Sequence, residues 1–342
     1  MRAVRFHEFG DLDVLRLENV AAPSFGPDEV LIRVKYTGLN HVDLLTREGK
    51  LPNRVSLPHI SGTEVAGEVA GTGSNVTDIK SGDKVLINPH LSCGVCEFCR
   101  EGHDNICLRG GVFGIMTEGG YAEYTVAPAQ NVTLLPESLG YREAAAIGVA
   151  GATALHMLVD RGNLKVGETV LIVAAGSGIG SFAIQLAKYL GARVIATAGS
   201  PEKLEMAKQL GADETVSHGE KGWHSKVREL TQKKGADLVF EHVGLATWDD
   251  SVASMARNGR LVTCGGHSGF EVKINLWTLF TKQLSLIGSF SATDANYYEV
   301  VRLAGRGVIK PVIHRTYPLE AAREAQRDLT DRKIFGKILL EV

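Results

Sequence analysis

Short apolar stretches of strand length, separated by turns that carry glycine, fill the first part of the chain. Residues 30–36 follow a Gly26-Pro27 turn and read as a strand. Residues 65–70, 84–87 and 121–126 repeat the theme, the last two after Gly82-Asp83 and Gly119-Gly120. Strands at this spacing predict an all-β, barrel-like region. The rhythm then changes. Val170-Leu-Ile-Val173 is a continuous apolar run, as a strand buried on both faces should be. A glycine-rich turn follows, then a helical pattern over 181–190, a strand over 193–197 and a helix over 201–209 with Ser200 as N-cap and Pro201 at its first position. Strands over 237–240 and 259–263 continue the alternation. Repeated β-α-β-α implies α/β architecture, a doubly wound parallel sheet covered by helices. The tail, 317–342, reads as a charged helix and then a strand over 337–342 that returns to the first region.

Length supports the same division. A chain of 342 residues exceeds what one core usually serves and suits two domains. The expected domains are 1–153 with 290–342, and 154–289. Hydrophobic residues (44%) and charged residues (22%) are in ordinary globular balance. A net charge of -2 provides no basic face, which argues against nucleic acid as the main partner. Residues 1–10 are polar and charged, without the apolar core of a signal peptide, and no apolar run approaches the roughly 20 residues of a membrane span. The expected location is the cytoplasm. Glycine is abundant, at 39 residues, which suits tight turns and close approach of backbone to a ligand.

One such turn carries chemistry. In Val173-Ala-Ala-Gly176-Ser177-Gly178-Ile179-Gly180 a strand ends, glycines turn the chain and a helix begins. This arrangement presents backbone N–H groups and a helix N-terminus to a diphosphate. Ala175 and Ser177 stand at the first two glycine positions of the full fingerprint, so the turn is relaxed, while Gly178 and Gly180 remain. The tip of the next strand, Ala198-Gly199-Ser200-Pro201-Glu202-Lys203, lacks the carboxylate that holds the ribose 2′-hydroxyl of NAD. Ser200 and Lys203 suit a 2′-phosphate, which favours NADPH over NADH. The alternative is that Ser200 only caps the helix and Lys203 is solvated.

Four of the five cysteines crowd into Cys93, Cys96, Cys99 and Cys107, a C-x2-C-x2-C-x7-C spacing within a lobe at 89–111. Four thiolates complete a tetrahedral zinc site with no open position, which makes it structural. Cys264 stands apart and reads as a small residue at a strand end.

These motifs, with Gly82-Asp83-Lys84-Val85 and Gly119-Gly120-Tyr121-Ala122-Glu123-Tyr124, resemble the medium-chain dehydrogenases/reductases over essentially the whole length. The resemblance implies an N-terminal GroES-like β-barrel catalytic domain, a Rossmann domain and a C-terminal return to the first. In the zinc alcohol dehydrogenases of that superfamily three side chains hold a catalytic zinc. Asn40, Thr63 and Val149 occupy those positions here, and Thr153, which matches the threonine that follows the third, is expected to bind the cofactor with Gly176, Ser177, Gly178, Ile179, Gly180, Ser200 and Lys203. Asn, Thr and Val cannot hold zinc at catalytic strength. A displaced site of His41, His59 and Glu64 is the alternative. The segments around Asn40 and Thr63 are similar to the zinc-independent quinone and enone reductases, although those usually lack the cysteine lobe.

The resulting expectation is an NADPH-dependent reductase of an activated C=C bond in an α,β-unsaturated carbonyl, a quinone or an enoyl thioester. Asn40 is the candidate donor to the substrate oxygen, His41 the candidate proton source and Asp43 the group that orients its neighbours. Water can replace His41 in that role. Trp277 and Phe280 are either core residues or pocket lining. The resemblance implies a homodimer or homotetramer. Two rivals stand: an alcohol dehydrogenase with an atypical metal site, and an NADPH-binding protein without turnover.

Overall fold

The computed structural model describes residues 1–51 and 55–342. The chain forms two compact units, Met1–Ala152 with Ala292–Val342, and Thr153–Ser291.

In the first unit β1 (Arg2–Arg5) and β2 (Arg16–Asn19) pair antiparallel. The long strand β3 (Glu29–Gly38) alternates as its sequence predicts and buries Val30, Ile32 and Val34. It pairs antiparallel with β4 (Glu64–Thr72), which pairs with β5 (Lys84–Ile87). The short pair β6 (His90–Leu91) and β7 (Gly111–Val112) brackets the cysteine segment. Two further strands, β8 (Tyr124–Pro128) and β9 (Val132–Leu134), lie against β3 and β5. β8 starts later than the alternation suggests. Tyr121 and Ala122 lie instead against β1, where the Val4 N–H donates to the Tyr121 carbonyl and Ala3 bridges Ala122.

The second unit holds six parallel strands in the order β12-β11-β10-β13-β14-β15. They are β10 (Thr169–Ile172), β11 (Arg193–Ala198), β12 (Glu214–Ser217), β13 (Ala236–Glu241), β14 (Met255–Thr263) and β15 (Ser285–Gly288). Residues 170–173 are fully buried, as a central parallel strand requires. The chain winds outward from β10 in one direction and resumes at β13 in the other. The carboxyl ends of β10 and β13 therefore form the switch-point crevice where such folds take ligands. Trp277 and Phe280 depart from the core reading. They lie in the short helix Leu276–Thr281, which turns Leu279 toward the sheet and leaves Trp277 69% and Phe280 60% exposed.

The tail completes the first unit. β16 (Ile313–Pro318) runs parallel to β17 (Lys337–Glu341), and β17 pairs antiparallel with β3, Leu339 opposite Gly38. The sheet reads β16-β17-β3-β4-β5-β9, with β8 on β3. These pairings make the first unit the expected GroES-like domain. The architecture is α/β, a Rossmann parallel sheet plus a GroES-like unit.

Candidate functional site

The dinucleotide turn is built from a cap and a close contact. The helix Gly178–Tyr189 begins three residues before the apolar pattern does, because Ser177 Oγ accepts the Gly180 N–H at 2.9 Å. Ala174 adopts a left-handed φ of 54°, held by its N–H donating to Thr197 Oγ1 at 3.2 Å. A Cβ on Gly180 would stand 2.7 Å from the Ala174 carbonyl oxygen, so only glycine lets the helix start this close to the turn. Gly176 is buried, while Ser177, Gly178 and Ile179 are partly exposed at the carboxyl end of β10. The turn's backbone and twelve-residue helix fit a diphosphate. Under the cap sits His242, missed by sequence reading. Its Nε2 lies 3.2 Å from Ser177 Oγ, and burial holds its pKa down at about 4, so it is a neutral acceptor for the serine proton. Thr153 is buried in the helix Gly148–His156.

At the tip of β11, Ser200 caps Pro201–Gln209 and accepts the Lys203 N–H at 3.4 Å. Lys203 is half-buried, which lowers its pKa.

The cysteine lobe brings Cys93, Cys96, Cys99 and Cys107 together, all four Sγ atoms within 4.8 Å of one another. Cys96 Sγ lies 3.5 Å from Cys99 Sγ and 3.9 Å from Cys107 Sγ. Zinc–sulfur bonds of about 2.3 Å in a tetrahedron place sulfurs about 3.8 Å apart, so the set fits zinc. Backbone N–H groups point at the sulfurs, Cys93 to Cys107 at 3.3 Å and Cys96 to Cys93 at 3.4 Å. Such donors draw Cys93 down to about 6, whereas burial and neighbouring thiols push Cys99 up to about 12. A cation resolves that conflict by stabilising all four thiolates.

The third locus lies where β3 ends. Asn40 precedes the helix His41–Arg47, and its N–H donates to Asp43 Oδ2 at 2.8 Å. Asp43 is buried, which raises its carboxyl pKa to about 6. His41 is exposed at the first position of the helix. The Asn40 side chain is clamped at both ends. Its Oδ1 accepts from Lys337 Nζ at 2.6 Å, and its Nδ2 donates to Glu64 Oε2 at 3.0 Å, with Thr63 Oγ1 at 3.5 Å. Lys337 and Glu64 form an ion pair at 2.7 Å, with side chains 3% and 0% exposed. The third donor of the ammonium goes to the Leu39 carbonyl at 2.7 Å. Glu64 Oε1 accepts the Val149 N–H at 2.9 Å. Close packing enforces this: a Cβ on Gly38 would lie 2.6 Å from Glu64 Oε2.

A catalytic zinc does not fit here. Asn40, Thr63 and Val149 supply no thiolate or imidazole, and both oxygens of Glu64 are taken. The displaced set is not assembled either, since His59 is buried with Nε2 on the Gly114 carbonyl at 3.0 Å. Among the described residues the cysteine lobe is the one cluster of His, Cys, Asp or Glu with metal-binding geometry. The sequence did carry a signal for Lys337: a lysine in the apolar strand Lys337-Ile-Leu-Leu must find a partner when buried.

Comparison with known proteins agrees with this anatomy. The alcohol dehydrogenase GroES-like domain family matches residues 26–137, and the zinc-binding dehydrogenase family matches 178–306. An NAD-dependent alcohol dehydrogenase of Sulfolobus acidocaldarius is 35% identical, with both chains fully covered. Human quinone oxidoreductase is 32% identical over 99% of this chain and 97% of its own. The crystal structure of an NAD-dependent alcohol dehydrogenase superposes with a TM-score of 0.97 at 43% identity, again covering both chains fully. A parallel dinucleotide sheet, a GroES-like unit, a four-cysteine lobe and full-length relatives of both kinds place the chain in the medium-chain dehydrogenase/reductase superfamily of oxidoreductases.

Proposed function

We propose that this oxidoreductase uses NADPH to reduce an activated C=C bond, in an α,β-unsaturated carbonyl, a quinone or an enoyl thioester, without a catalytic zinc. The observation that carries the reading is the clamp on Asn40. Lys337 occupies the amide oxygen, so the amide nitrogen must point away from the ammonium. One of its protons goes to Glu64. Among the described residues the other faces only a long contact to Thr63, and it is the donor offered to a substrate carbonyl oxygen. A neutral amide donor suits charge that develops on an enolate oxygen. It does not acidify an alcohol as a metal does.

The reduced cofactor supplies a hydride when bound. Asp43 holds the Asn40 backbone, and therefore the position of the amide. His41, exposed beside Asn40, supplies the proton that completes reduction. Ser177, Gly178, Ile179 and Gly180 hold the diphosphate, and Ser200 and Lys203 lie at the tip that would meet a 2′-phosphate. One zinc per chain serves structure in the cysteine lobe. Working as a homodimer or homotetramer in the cytoplasm completes the proposal. No helix among the described residues is long and apolar enough to cross a membrane.

A second reading, an NAD-dependent alcohol dehydrogenase, draws on the name of the Sulfolobus relative. One assay separates the two. Cofactor oxidation is followed with a small enone and its saturated ketone, with NADPH and NADH in parallel. Turnover of the enone with NADPH is expected. Turnover of the ketone overturns the metal-free C=C mechanism, and equal use of NADH overturns the cofactor assignment.

A further inference from the structure

The carboxyl ends of the parallel sheet carry the dinucleotide turn. Its amino ends carry a different feature, an open cleft of about 620 Å³ lined by His224, Arg228, Lys233, Thr278 and Lys282. The chain order places it there. Lys233 comes just before β13 and Lys282 just before β15. Arg228 Nη1 donates to the carbonyl of Met255, the first residue of β14, at 3.5 Å.

Three segments bring cations to this cleft. Arg228 lies in the last turn of the helix His224–Leu230. Lys233 follows it in left-handed backbone, with φ of 68°, after Gln232 with φ of 52°. Two such residues in succession without glycine are costly. The Lys233 N–H on the Arg228 carbonyl, at 2.6 Å, holds them. Lys282 caps the end of the helix Leu276–Thr281. A helix C-terminus favours a cation at each place separately. It does not account for their convergence on one cleft.

The charges there are unanswered. Among the described residues Arg228, Lys233 and Lys282 form no ion pair. The one carboxylate in the lining, Glu229, is engaged by Lys226 at 2.7 Å. Carbonyls orient Arg228, those of Lys234 at 3.3 Å and Met255, without neutralising it. Burial lowers the pKa of Lys282, and the like charges of Arg228 and Arg257 add to the effect. Holding like charges together costs free energy that a bound anion offsets. His224 adds a fixed imidazole. Its Nδ1 pairs with Asp250 Oδ1, and the N–H groups of His224 and Gly222 donate to the same carboxylate at 3.3 and 3.0 Å. Nε2 is the nitrogen left over. It can accept from a phosphate hydroxyl or, in the charged ring, donate to a phosphate oxygen.

We propose that this cleft is a second ligand site, taking a small organic phosphate, with Arg228, Lys233 and Lys282 around the phosphate and His224 beside them. Arginine and lysine are the side chains that recognise phosphate by charge-assisted hydrogen bonds. The volume exceeds what one phosphate fills and leaves room for an organic body. The site is independent of the reading of the reaction and of the choice of cofactor.

Calorimetry tests it on the zinc-loaded protein, with NADPH and NADH both in excess so that the dinucleotide turn is filled. The probe is fructose 1,6-bisphosphate, which has no base to compete for that turn. Saturable binding that weakens as salt rises is expected. K282Q and R228Q should each weaken it at least about tenfold, the scale of one hydrogen bond to a charged group. K208Q, which removes an exposed charge from the helix Pro201–Gln209, should change it less than about twofold. Cofactor binding, followed by nicotinamide fluorescence, should be unchanged in all three and reports an intact fold. K282Q keeps the test open if R228Q folds poorly, because the Lys282 side chain makes no hydrogen bond among the described residues. No saturable binding to the wild type overturns the site, and so do K282Q and R228Q proteins that bind as K208Q does. Inorganic phosphate that binds as tightly as the sugar bisphosphate would overturn the organic ligand and make the occupant a free anion.

Discussion

Lys337 spends all three ammonium protons inside the protein, on the Leu39 carbonyl, Asn40 and Glu64. It cannot also reach a substrate, so its effect on chemistry passes through the amide it orients. Removing one partner of a buried ion pair strands the other charge, at about 3–5 kcal/mol. K337M is therefore expected to lose that much stability by chemical denaturation. The double variant K337M/E64Q, with no stranded carboxylate, should recover most of it. Turnover should behave differently: the double variant stays impaired because Asn40 has lost the partner that fixes its flip. Recovery of full kcat along with stability would show that Asn40 needs no clamp. Asn40, His41 and Asp43 were legible in the sequence because their segment resembles that of the zinc-independent reductases, with Asn40 at the position of a catalytic-zinc ligand. The sequence marked Lys337 as a lysine in an apolar strand but not its partner, because Asn40 lies 297 positions away, and only the return of the tail beside β3 joins them.

At the level of elements, legibility followed local chemistry. Pro201–Gln209 starts where Ser200 and Pro201 say it should. Lys84–Ile87 follows its Gly82 turn, where φ is +92°. β16 was missed because Ile-His-Arg-Thr-Tyr-Pro shows little burial pattern, and pairing with β17 makes it a strand. The helix after the dinucleotide turn was placed late because its first turn carries Gly178 and Gly180, which propensity counts against a helix. The cysteine lobe was legible from spacing alone, since a closed metal site needs little beyond four ligands. It contains two short helical turns, Glu97–Arg100 and Asp104–Ile106, and none of the four cysteines is fully buried. Metal must then supply what a core would. C107S should carry well under one zinc per chain by elemental analysis, against one in the wild type. Its lobe should be cut first by a protease. A fully loaded, protease-resistant C107S would remove zinc from the lobe's stability.

For the whole molecule, buried titratable groups set opposing slopes of stability against pH. Burial lowers the pKa of His59, His90, His218 and His242. A histidine lowered on folding contributes stability above its unfolded pKa, near 6.5, that is lost as pH falls toward the folded value. Two carboxyls act the other way. Burial raises Asp43 to about 6, and burial with the nearby charge of Asp104 raises Asp294 to about 6. A raised carboxyl contributes stability that is complete below its unfolded pKa, near 4, and is lost as pH climbs through about 6. Asp294 is the testable member. Its N–H donates to Asp104 Oδ2 at 3.0 Å, and its carboxylate accepts from Asn88, so asparagine can keep the contacts without the charge. D294N should be more stable than the wild type at pH 7.5, by about 1–2 kcal/mol once partial solvent screening is allowed for. That advantage should shrink toward zero by pH 4.5, where the wild-type carboxyl is protonated. The variant should therefore lose stability more steeply on acidification. Comparing the two proteins at each pH cancels the histidines and the zinc thiolates, which both share. Equal stability at pH 7.5, or an advantage that grows as pH falls, would mean that Asp294 is not held protonated in the fold and that its pairing with Asp104 costs nothing at neutral pH.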